Sequence, residues 1–320
     1  MLSLVAFPIA AYLTSAAGQA VPYYNPRLTG GSMLTFQNEP INIIVSALSS
    51  PEALTDRGLV NYGNALGYGD DCLGIHLGGP QAANLGDGNS WVNQTQMMRE
   101  DYGSTPIGTC LETLIGGNHY RVFRQNGTLA NSGALFLAAS KEDPITEQHN
   151  IVPDGYNVGR DQVVSEATSG VVSFSGVDYT TTVEWVTGLL PPGVEGEGNG
   201  INHNISIDGR TAVFTITAST VDSGINCKGS SLCGTLSVAS CDAAKAKIVN
   251  TTIYRTDGDA PATGVCSGHC GLFVQGTNCR YDGYTMVEAY DEIRAGSCQK
   301  CGSKRYLDGC EITMNYVSSC

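Results

Sequence analysis

Basic residues are scarce in this 320-residue chain, which has 17 Lys and Arg against 30 Asp and Glu and a formal net charge of −13. An acidic chain repels the phosphate backbone, so this balance excludes a nucleic-acid-binding protein as the default interpretation. Charged residues make up only 15% and hydrophobic residues 42%, which excludes a charged disordered chain. After the first twenty residues, no apolar run approaches the roughly 18 residues of a membrane-spanning helix.

What the chain does have is an uneven distribution of cysteine. Ten of the 12 cysteines lie between Cys227 and Cys320, and only two precede them. Charge is uneven too: residues 222–320 hold 9 basic and 10 acidic residues (−1), which leaves 8 and 20 (−12) for the remainder. We therefore predict an acidic domain over residues 21–221, of unknown function, followed by a disulfide-rich domain over residues 222–320.

Residues 1–20 are typical of a secretory signal peptide. An apolar run is followed by small residues, and Gly18-Gln19-Ala20 offers the small-x-small spacing of a cleavage site. The alternative is a buried first helix. Together with the cysteine-dense tail, the signal predicts a secreted, extracellular protein that is released without a membrane anchor.

Four Asn-x-Ser/Thr sequons agree with export. Their acceptor residues are Asn93, Asn126, Asn204 and Asn250. The pattern is short, so each sequon is weak on its own, but an exported chain would pass through the compartment where glycans are attached. We therefore expect a glycoprotein.

Residues 21–221 predict an α+β domain. The strand candidates are residues 41–47, 119–124 and 133–138. Ser50-Pro51 suits the start of a helix, because serine favours the cap and proline the first turn. The clearest local pattern covers residues 205–216, where Asp208-Gly209 between two apolar runs predicts a β-hairpin.

The tail predicts helices and strands of its own. A first helix is expected over residues 242–254, where Ala and Lys favour it. A second helix is expected to begin at the capping-box pattern Thr285-Met-Val-Glu288 and to end at Gly296. Strands are expected over residues 271–275 and 311–317.

Three tail segments together form a specific pattern. They are Gly224-Ile-Asn-Cys-Lys-Gly-Ser-Ser-Leu-Cys-Gly234, Cys298-Gln-Lys-Cys-Gly-Ser303 and Thr313-Met-Asn-Tyr-Val-Ser-Ser-Cys320. This ordered set resembles the killer toxin family of smut-fungus viruses known as killer protein four, together with its cellular fungal relatives. The resemblance covers about the last 99 residues of the chain.

The resemblance implies a small α/β sandwich, in which an antiparallel sheet packs helices on one face and disulfides staple the fold. By analogy Cys227 pairs with Cys298 and Cys233 with Cys301. The alternative is a four-cysteine zinc site, because the spacing Cys-x-x-Cys is also typical of zinc ligands. The other tail cysteines are Cys241, Cys266, Cys270, Cys279, Cys310 and Cys320. Six cysteines allow 15 connectivities. Cys241–Cys266 is the first pair that the analogy suggests.

The resemblance also implies an activity and a partner. Toxins of this family arrest susceptible fungal cells without enzymatic chemistry or a cofactor, through calcium uptake by channels. A membrane channel or other cell-surface component of a target fungus would therefore be the partner. The family's lysine ahead of a central cysteine has no counterpart in residues 262–266. The basic residues close in sequence to the predicted Cys227–Cys298 and Cys233–Cys301 disulfides are Lys228, Lys300, Lys304 and Arg305. They offer a contact for an anionic channel mouth, and a solvated face is the alternative.

The front half contains candidates for chemistry. The residues that could serve a metal hydrolase are His76, His119, His149 and Asp154. No known ligand spacing is present, so hydrogen-bonded core or loop histidines are the alternative. Ser175 in the segment 172–176 fits a nucleophile elbow only in part. The simplest interpretation of Cys72 and Cys110 is a disulfide between them. The alternative is that Cys72 is a nucleophile beside His76.

Residues 21–221 also resemble an uncharacterised region found ahead of toxin-like tails in secreted proteins of mushroom-forming fungi, which implies no activity. We therefore favour a secreted killer-toxin-like effector without enzymatic chemistry. The alternatives are a secreted hydrolase or metal-binding enzyme that uses the N-terminal domain, and a non-toxic extracellular binding module on a toxin scaffold.

Overall fold

The computed structural model describes residues 20–70, 72, 80–103, 107–193, 200–220, 222–258, 262–296, 298, 300–306 and 309–320. These residues form five α-helices and seventeen strands, so the predicted α+β class is confirmed. The helices are α1 (Asp56–Leu66), α2 (Gly108–Ile115), α3 (Gly155–Ala167), α4 (Val238–Lys245) and α5 (Gly283–Ala295). Residues 1–19 of the predicted signal peptide lie outside the described residues, as does His76.

A large sheet organises the N-terminal part of the chain. The strands there are β1 (Ile43–Val45), β2 (Tyr68–Gly69), β3 (Ala82–Ala83), β4 (Val92–Asn93), β5 (Gln96–Glu100), β6 (Gly117–Arg124), β7 (Leu135–Glu142), β8 (Val172–Phe174), β9 (Val177–Thr187) and β10 (Arg210–Thr220). Eight of them form one sheet in the order β2-β5-β6-β7-β1-β10-β9-β8. Its neighbouring strands are antiparallel except β1 and β10, which are parallel.

The two faces of this sheet pack against two different cores. Ile43 and Val45 of β1 face a core shared with Leu59 of α1 and Val163 of α3. Ile44, between them, faces a second core on the opposite side. All three residues are fully buried, because successive side chains of a strand point to opposite faces and both faces are covered here.

The predicted hairpin over residues 205–216 is wrong. β10 begins at Arg210 and pairs along its whole length with β9, so its partner comes from an earlier part of the chain. Asp208 turns towards α3, where its carboxylate accepts two hydrogen bonds from the Arg160 guanidinium at 2.7 and 2.9 Å. Long-range pairing and a bidentate charged contact therefore outweigh the local turn signal.

A smaller sheet organises the C-terminal part. The strands there are β11 (Asp222–Asn226), β12 (Ile253–Arg255), β13 (Gly264–Ser267), β14 (Cys270–Gln275), β15 (Arg280–Asp282), β16 (Gly302–Tyr306) and β17 (Glu311–Tyr316). Five form an antiparallel sheet in the order β11-β16-β17-β14-β13, and β12 pairs with β15. One face of the five-stranded sheet presents Leu272 and Met314 to a core that includes Cys241 of α4 and Ile293 of α5. The predicted sheet with helices on one face is therefore present.

The first tail helix lies earlier than predicted. α4 begins after Ser237, whose hydroxyl accepts the backbone N–H of Ser240, and it ends at Lys245. The last two residues of the predicted segment, 253 and 254, belong to strand β12. Its residues pair with β15, so tertiary pairing overrides the local helix propensity there.

The second tail helix has a different cap from the predicted one. The N-cap is Asp282, whose carboxylate accepts the backbone N–H of Thr285 at 2.8 Å. Glu288, the expected partner in a capping box, binds Arg57 of α1 instead. Gly296 follows the last residue of the helix, as predicted.

Six disulfides join all twelve cysteines, which leaves none for a zinc site or a nucleophilic Cys72. The pairs are Cys72–Cys110, Cys227–Cys298, Cys233–Cys301, Cys241–Cys270, Cys266–Cys320 and Cys279–Cys310. The second and third pairs are those that the toxin resemblance implies. The first is the simple front-half disulfide.

The suggested pair Cys241–Cys266 is wrong, and strand geometry explains why. Cys270 is fully buried in the core that α4 covers, and it lies opposite Ser267 in the β13–β14 pairing. Cys266 lies opposite Gly271, one residue further along β14. Adjacent residues of a strand point to opposite faces, so Cys266 points away from α4 while Cys270 points towards it.

Candidate functional site

The three tail segments that carry the toxin resemblance meet at one place. Two disulfides join the first segment to the second, with Cα atoms 5.0 and 5.8 Å apart. In the third segment, Asn315 accepts a hydrogen bond from the backbone N–H of Ser230 at 2.9 Å. The Asn315 Oδ1 atom also lies 3.3 Å from the sulfurs of both Cys233 and Cys301. Segments far apart in sequence therefore build one local structure.

Gly229 of the first segment is required by this arrangement. A Cβ atom at this position would lie 2.6 Å from the Cys233 sulfur and 2.6 Å from the Cys301 Cβ atom. Both contacts are with atoms held by a disulfide, which cannot move aside freely. The close approach of backbone and disulfide therefore explains the glycine in this motif.

A shallow groove of about 460 Å³ lies beside the Cys227–Cys298 and Cys233–Cys301 disulfides. Lys300 lines it and donates a hydrogen bond to the Gly234 carbonyl at 2.7 Å. Lys228 is exposed and lies between two residues that line the groove, Cys227 and Gly229. Lys300 is therefore the basic residue in the lining of the groove, and Lys228 is an exposed basic residue next to two lining residues in the sequence.

The other two residues of the predicted basic patch are engaged by acidic partners. Lys304 is only 7% exposed, and its amine lies 2.7 Å from a Glu292 carboxylate oxygen. Arg305 is exposed and lies 3.0 Å from Glu311. In the structure, Lys304 and Arg305 therefore lie against carboxylates, whereas Lys300 lines the groove and Lys228 is exposed.

The four predicted glycan acceptors are all exposed, so a glycan at any of them meets no steric obstacle from burial. They are Asn93, Asn126, Asn204 and Asn250. We expect chain secreted from a fungal host to carry N-glycans at these positions. Peptide N-glycosidase leaves aspartate at each occupied asparagine, which peptide mass spectrometry detects. Thr128→Ala should abolish the signal at Asn126 alone, and unmodified peptides at all four sites would contradict the expectation.

A second candidate site lies on three strands of the large sheet. Arg99 of β5 is directly opposite His119 of β6, which is directly opposite Ser140 of β7. Glu142 is two residues further along β7 and so shares the face of Ser140. The side chains of Arg99, His119 and Glu142 therefore project to one side of the sheet, where Glu112 of α2 contacts Arg99.

These side chains are almost entirely removed from water. Arg99 Nη1 lies 2.7 Å from Glu112 Oε2 and 3.9 Å from Glu142 Oε2. His119 Nδ1 lies 4.0 Å from Glu112 Oε1 and 3.7 Å from Glu142 Oε1. Glu112 and His119 are fully buried, and the Glu142 side chain is 13% exposed. Glu112, His119 and Glu142 form a donor set that could hold a metal ion.

Burial and neighbouring charge shift the pKa values of this cluster. Burial, followed by the positive charges of Arg121 and Arg99, lowers the pKa of His119 well below its usual value, so the imidazole is neutral. Burial, followed by the negative charge of Glu112, raises the pKa of Glu142 to about 7. Neutral imidazole is the form of histidine that binds metal ions.

Two of the four residues predicted for a metal site meet in this cluster. His149 Nδ1 lies 3.4 Å from Glu142 Oε2, which places it beside the carboxylate that His119 also faces. Asp154 was the predicted carboxylate ligand, but it lies at the exposed start of α3 and accepts a hydrogen bond from Asn157. His76 lies outside the described residues.

Sequence reasoning missed Glu112, Glu142 and Arg99. A strand pairing of β5, β6 and β7 would place Arg99 and Glu142 on the face of His119. That register depends on how the strands pair, which no local motif reveals. Glu112 comes from a separate helix and carries no pattern that points to the sheet.

Ser175 is not placed as a hydrolase nucleophile. It forms the turn between β8 and β9 with Gly176, and both residues have positive φ, at 53° and 75°. The partial elbow pattern is therefore a two-residue hairpin turn. The Ser175 hydroxyl donates to Asp282 at 3.1 Å and lies 2.6 Å from the Thr285 hydroxyl, so it contacts the C-terminal part.

An arginine from each part of the chain also contacts the other part, and we call this set of contacts the junction. Arg57 of α1 lies 3.1 Å from Asp282 and 2.6 Å from Glu288. Arg280 donates to the Gly103 carbonyl at 3.0 Å. A cleft of about 820 Å³ lies beside these contacts, and its lining includes residues of both parts.

The comparisons with known proteins concern the C-terminal part. Residues 225–320 match the Meiotically up-regulated gene family. The matched region is under a third of the chain, and it contains five of the six disulfides. No curated protein matches the chain. Among the residues that the structure describes, no helix has the length and apolar character needed to cross a membrane.

Proposed function

We propose that the chain is a secreted, non-enzymatic effector of the killer-toxin type. Its C-terminal part, residues 222–320, would act on a channel or other cell-surface component of a target fungus. The observation that carries the proposal is the meeting of the three resembling segments around Asn315 and two disulfides. Patterns that match separately by chance would have no reason to form one local structure.

The groove beside these staples is the surface that we assign to target contact. A positive groove held by two disulfides is preorganised, so little conformational entropy is lost when it binds. Exposed lysine charge would attract the acidic mouth of a cation channel. Because residues 262–266 contain no lysine, Lys228 and Lys300 are the charges available at this surface.

The proposal predicts calcium-sensitive growth inhibition that depends on the groove lysines. Purified full-length chain should arrest susceptible fungi in a panel of yeasts and filamentous species, and added calcium should relieve the arrest. The double variant Lys228→Gln/Lys300→Gln should need about a tenfold higher dose, which corresponds to a loss of about 1.4 kcal/mol in target binding.

The matched control is Lys247→Gln. Lys247 is exposed on the same part of the chain but donates to the Cys266 carbonyl, outside the groove. It should leave the inhibitory dose unchanged. The absence of growth inhibition across the panel would refute the effector function. Equal doses for wild type and the double variant would refute the assignment to the groove.

A further inference from the structure

We propose that Glu112, His119 and Glu142 bind one divalent transition-metal ion, with zinc the best fit, inside the N-terminal part. This site is independent of the effector function assigned to the C-terminal groove. Its three side chains come from α2, β6 and β7, so the ion would tie a helix to two strands of the large sheet.

The spacing of the donor atoms suits a metal ion better than direct hydrogen bonds. His119 Nδ1 is 4.0 and 3.7 Å from one carboxylate oxygen of Glu112 and one of Glu142, and all three atoms lie within 4.8 Å of one another. Hydrogen bonds to nitrogen require about 2.7–3.2 Å. Ligands about 2.0–2.2 Å from a tetrahedral zinc ion lie about 3.4 Å apart, so small side-chain rotations would complete the site.

His119 is oriented as a ligand. Its Nδ1 atom is buried, points towards the two carboxylates and makes no hydrogen bond to any residue that the structure describes. The other ring nitrogen, Nε2, lies 3.3 Å from the Ser140 hydroxyl. When Nε2 carries the proton and donates to Ser140, Nδ1 presents a lone pair to the carboxylates, as in metal sites whose histidines are held by an outer partner.

Arg99 and His119 face different oxygens of the two carboxylates. Its guanidinium contacts the Oε2 atoms of Glu112 and Glu142, whereas the Oε1 atoms face His119. A second basic side chain, Arg121, lies 3.5 Å from Glu39. The carboxyl groups of Glu39, Glu112 and Glu142 therefore lie beside two guanidiniums, and a bound cation would offset carboxylate charge in this buried cluster.

Ligand chemistry restricts the choice of ion. One imidazole nitrogen with two carboxylate oxygens suits zinc, manganese or iron(II), whereas calcium takes six to eight oxygens and copper(I) prefers sulfur. His149 Nδ1 lies 3.4 Å from Glu142 Oε2, the carboxylate oxygen that faces Arg99, so His149 borders the site beside the three ligands. The His149 side chain is 29% exposed.

Zinc binding to the full chain tests the proposal. Chelator-stripped, dialysed protein should take up one equivalent of zinc by elemental mass spectrometry and titration calorimetry, and zinc should raise its melting temperature. Glu142→Gln keeps the shape of the side chain but removes its charge, and His119→Gln removes the imidazole. Each should weaken zinc affinity about tenfold or more. His203→Ala, on an exposed segment away from the cluster, should bind zinc as the wild type does.

The outcomes separate the metal site from its alternatives. Less than about a tenth of an equivalent of zinc in wild-type protein would overturn the proposal, with iron(II) and manganese titrated in the same way. Wild-type affinity in Glu142→Gln, with loss in His203→Ala, would place the zinc at the surface and also overturn it. Circular dichroism reports whether each variant folds. Should His119→Gln fail to fold, Glu142→Gln and the zinc-dependent melting shift still decide the question.

Discussion

Replacing Asp282 with alanine should lower the free energy of unfolding of the full chain by about 3 kcal/mol. The Asp282 side chain is only 7% exposed and serves both parts of the chain. It caps α5 through the Thr285 N–H, accepts the Ser175 hydroxyl from the β8–β9 turn and pairs with Arg57 of α1. Loss of the cap costs about 1 kcal/mol, and loss of the buried acceptor of the Ser175 hydroxyl and of one of the acceptors of Arg57 costs about 1–3 kcal/mol more.

Glu288→Ala is the matched control for Asp282→Ala. Glu288 pairs with the same arginine, but its side chain is 58% exposed. Exposed ion pairs contribute up to about 1 kcal/mol, so this variant should unfold within about 1 kcal/mol of wild type. Urea unfolding followed by circular dichroism compares the two. A similar loss of unfolding free energy in both variants would show that burial at the junction does not set the strength of these contacts.

Removing the Cys241–Cys270 disulfide should lower the free energy of unfolding by about 5 kcal/mol. The two cysteines are separated by 29 residues, and the loop-closure entropy of such a link corresponds to about 3.6 kcal/mol. Both side chains are also buried in the core between α4 and β14, with 1% and 0% exposure. Alanine at both positions therefore also removes packed sulfur atoms, at about 1–2 kcal/mol.

The comparison that tests this prediction is the Cys266–Cys320 disulfide. It links residues 54 apart, so loop entropy alone would give it the larger effect, about 4.2 kcal/mol. Cys320 is exposed, however, and its removal leaves no cavity. We expect Cys266→Ala/Cys320→Ala to cost less than Cys241→Ala/Cys270→Ala in guanidinium unfolding. The reverse order would mean that the length of the closed loop outweighs burial.

Local signals in the sequence succeeded where the tertiary surroundings agree with them. The apolar run at residues 41–47 contains β1, since a strand buried on both faces needs such a run. Residues 271–275 and 311–317 correspond to β14 and β17, and Gly296 ends α5. In each place the local preference and the packing environment favour the same structure.

The same reasoning failed where a distant partner competes. Asp208-Gly209 has the composition of a hairpin turn, but Arg160 binds the aspartate and β9 pairs with the following strand. Thr285 and Glu288 have capping-box spacing, but Asp282 caps the helix and Arg57 takes the glutamate. A short window of sequence contains neither the competing arginine nor the strand that pairs with the segment.

The sequence by itself determined the α+β class and the disulfide-rich character of the tail, because composition and short spacing carry that information. Tertiary structure alone decided that Cys241 pairs with Cys270 and that Lys304 and Arg305 lie against acidic partners. It also decided that Glu112, His119 and Glu142 meet. These contacts depend on strand register, which sets the face that a side chain occupies, and on the packing of helices against that face, and both are established between segments distant in sequence.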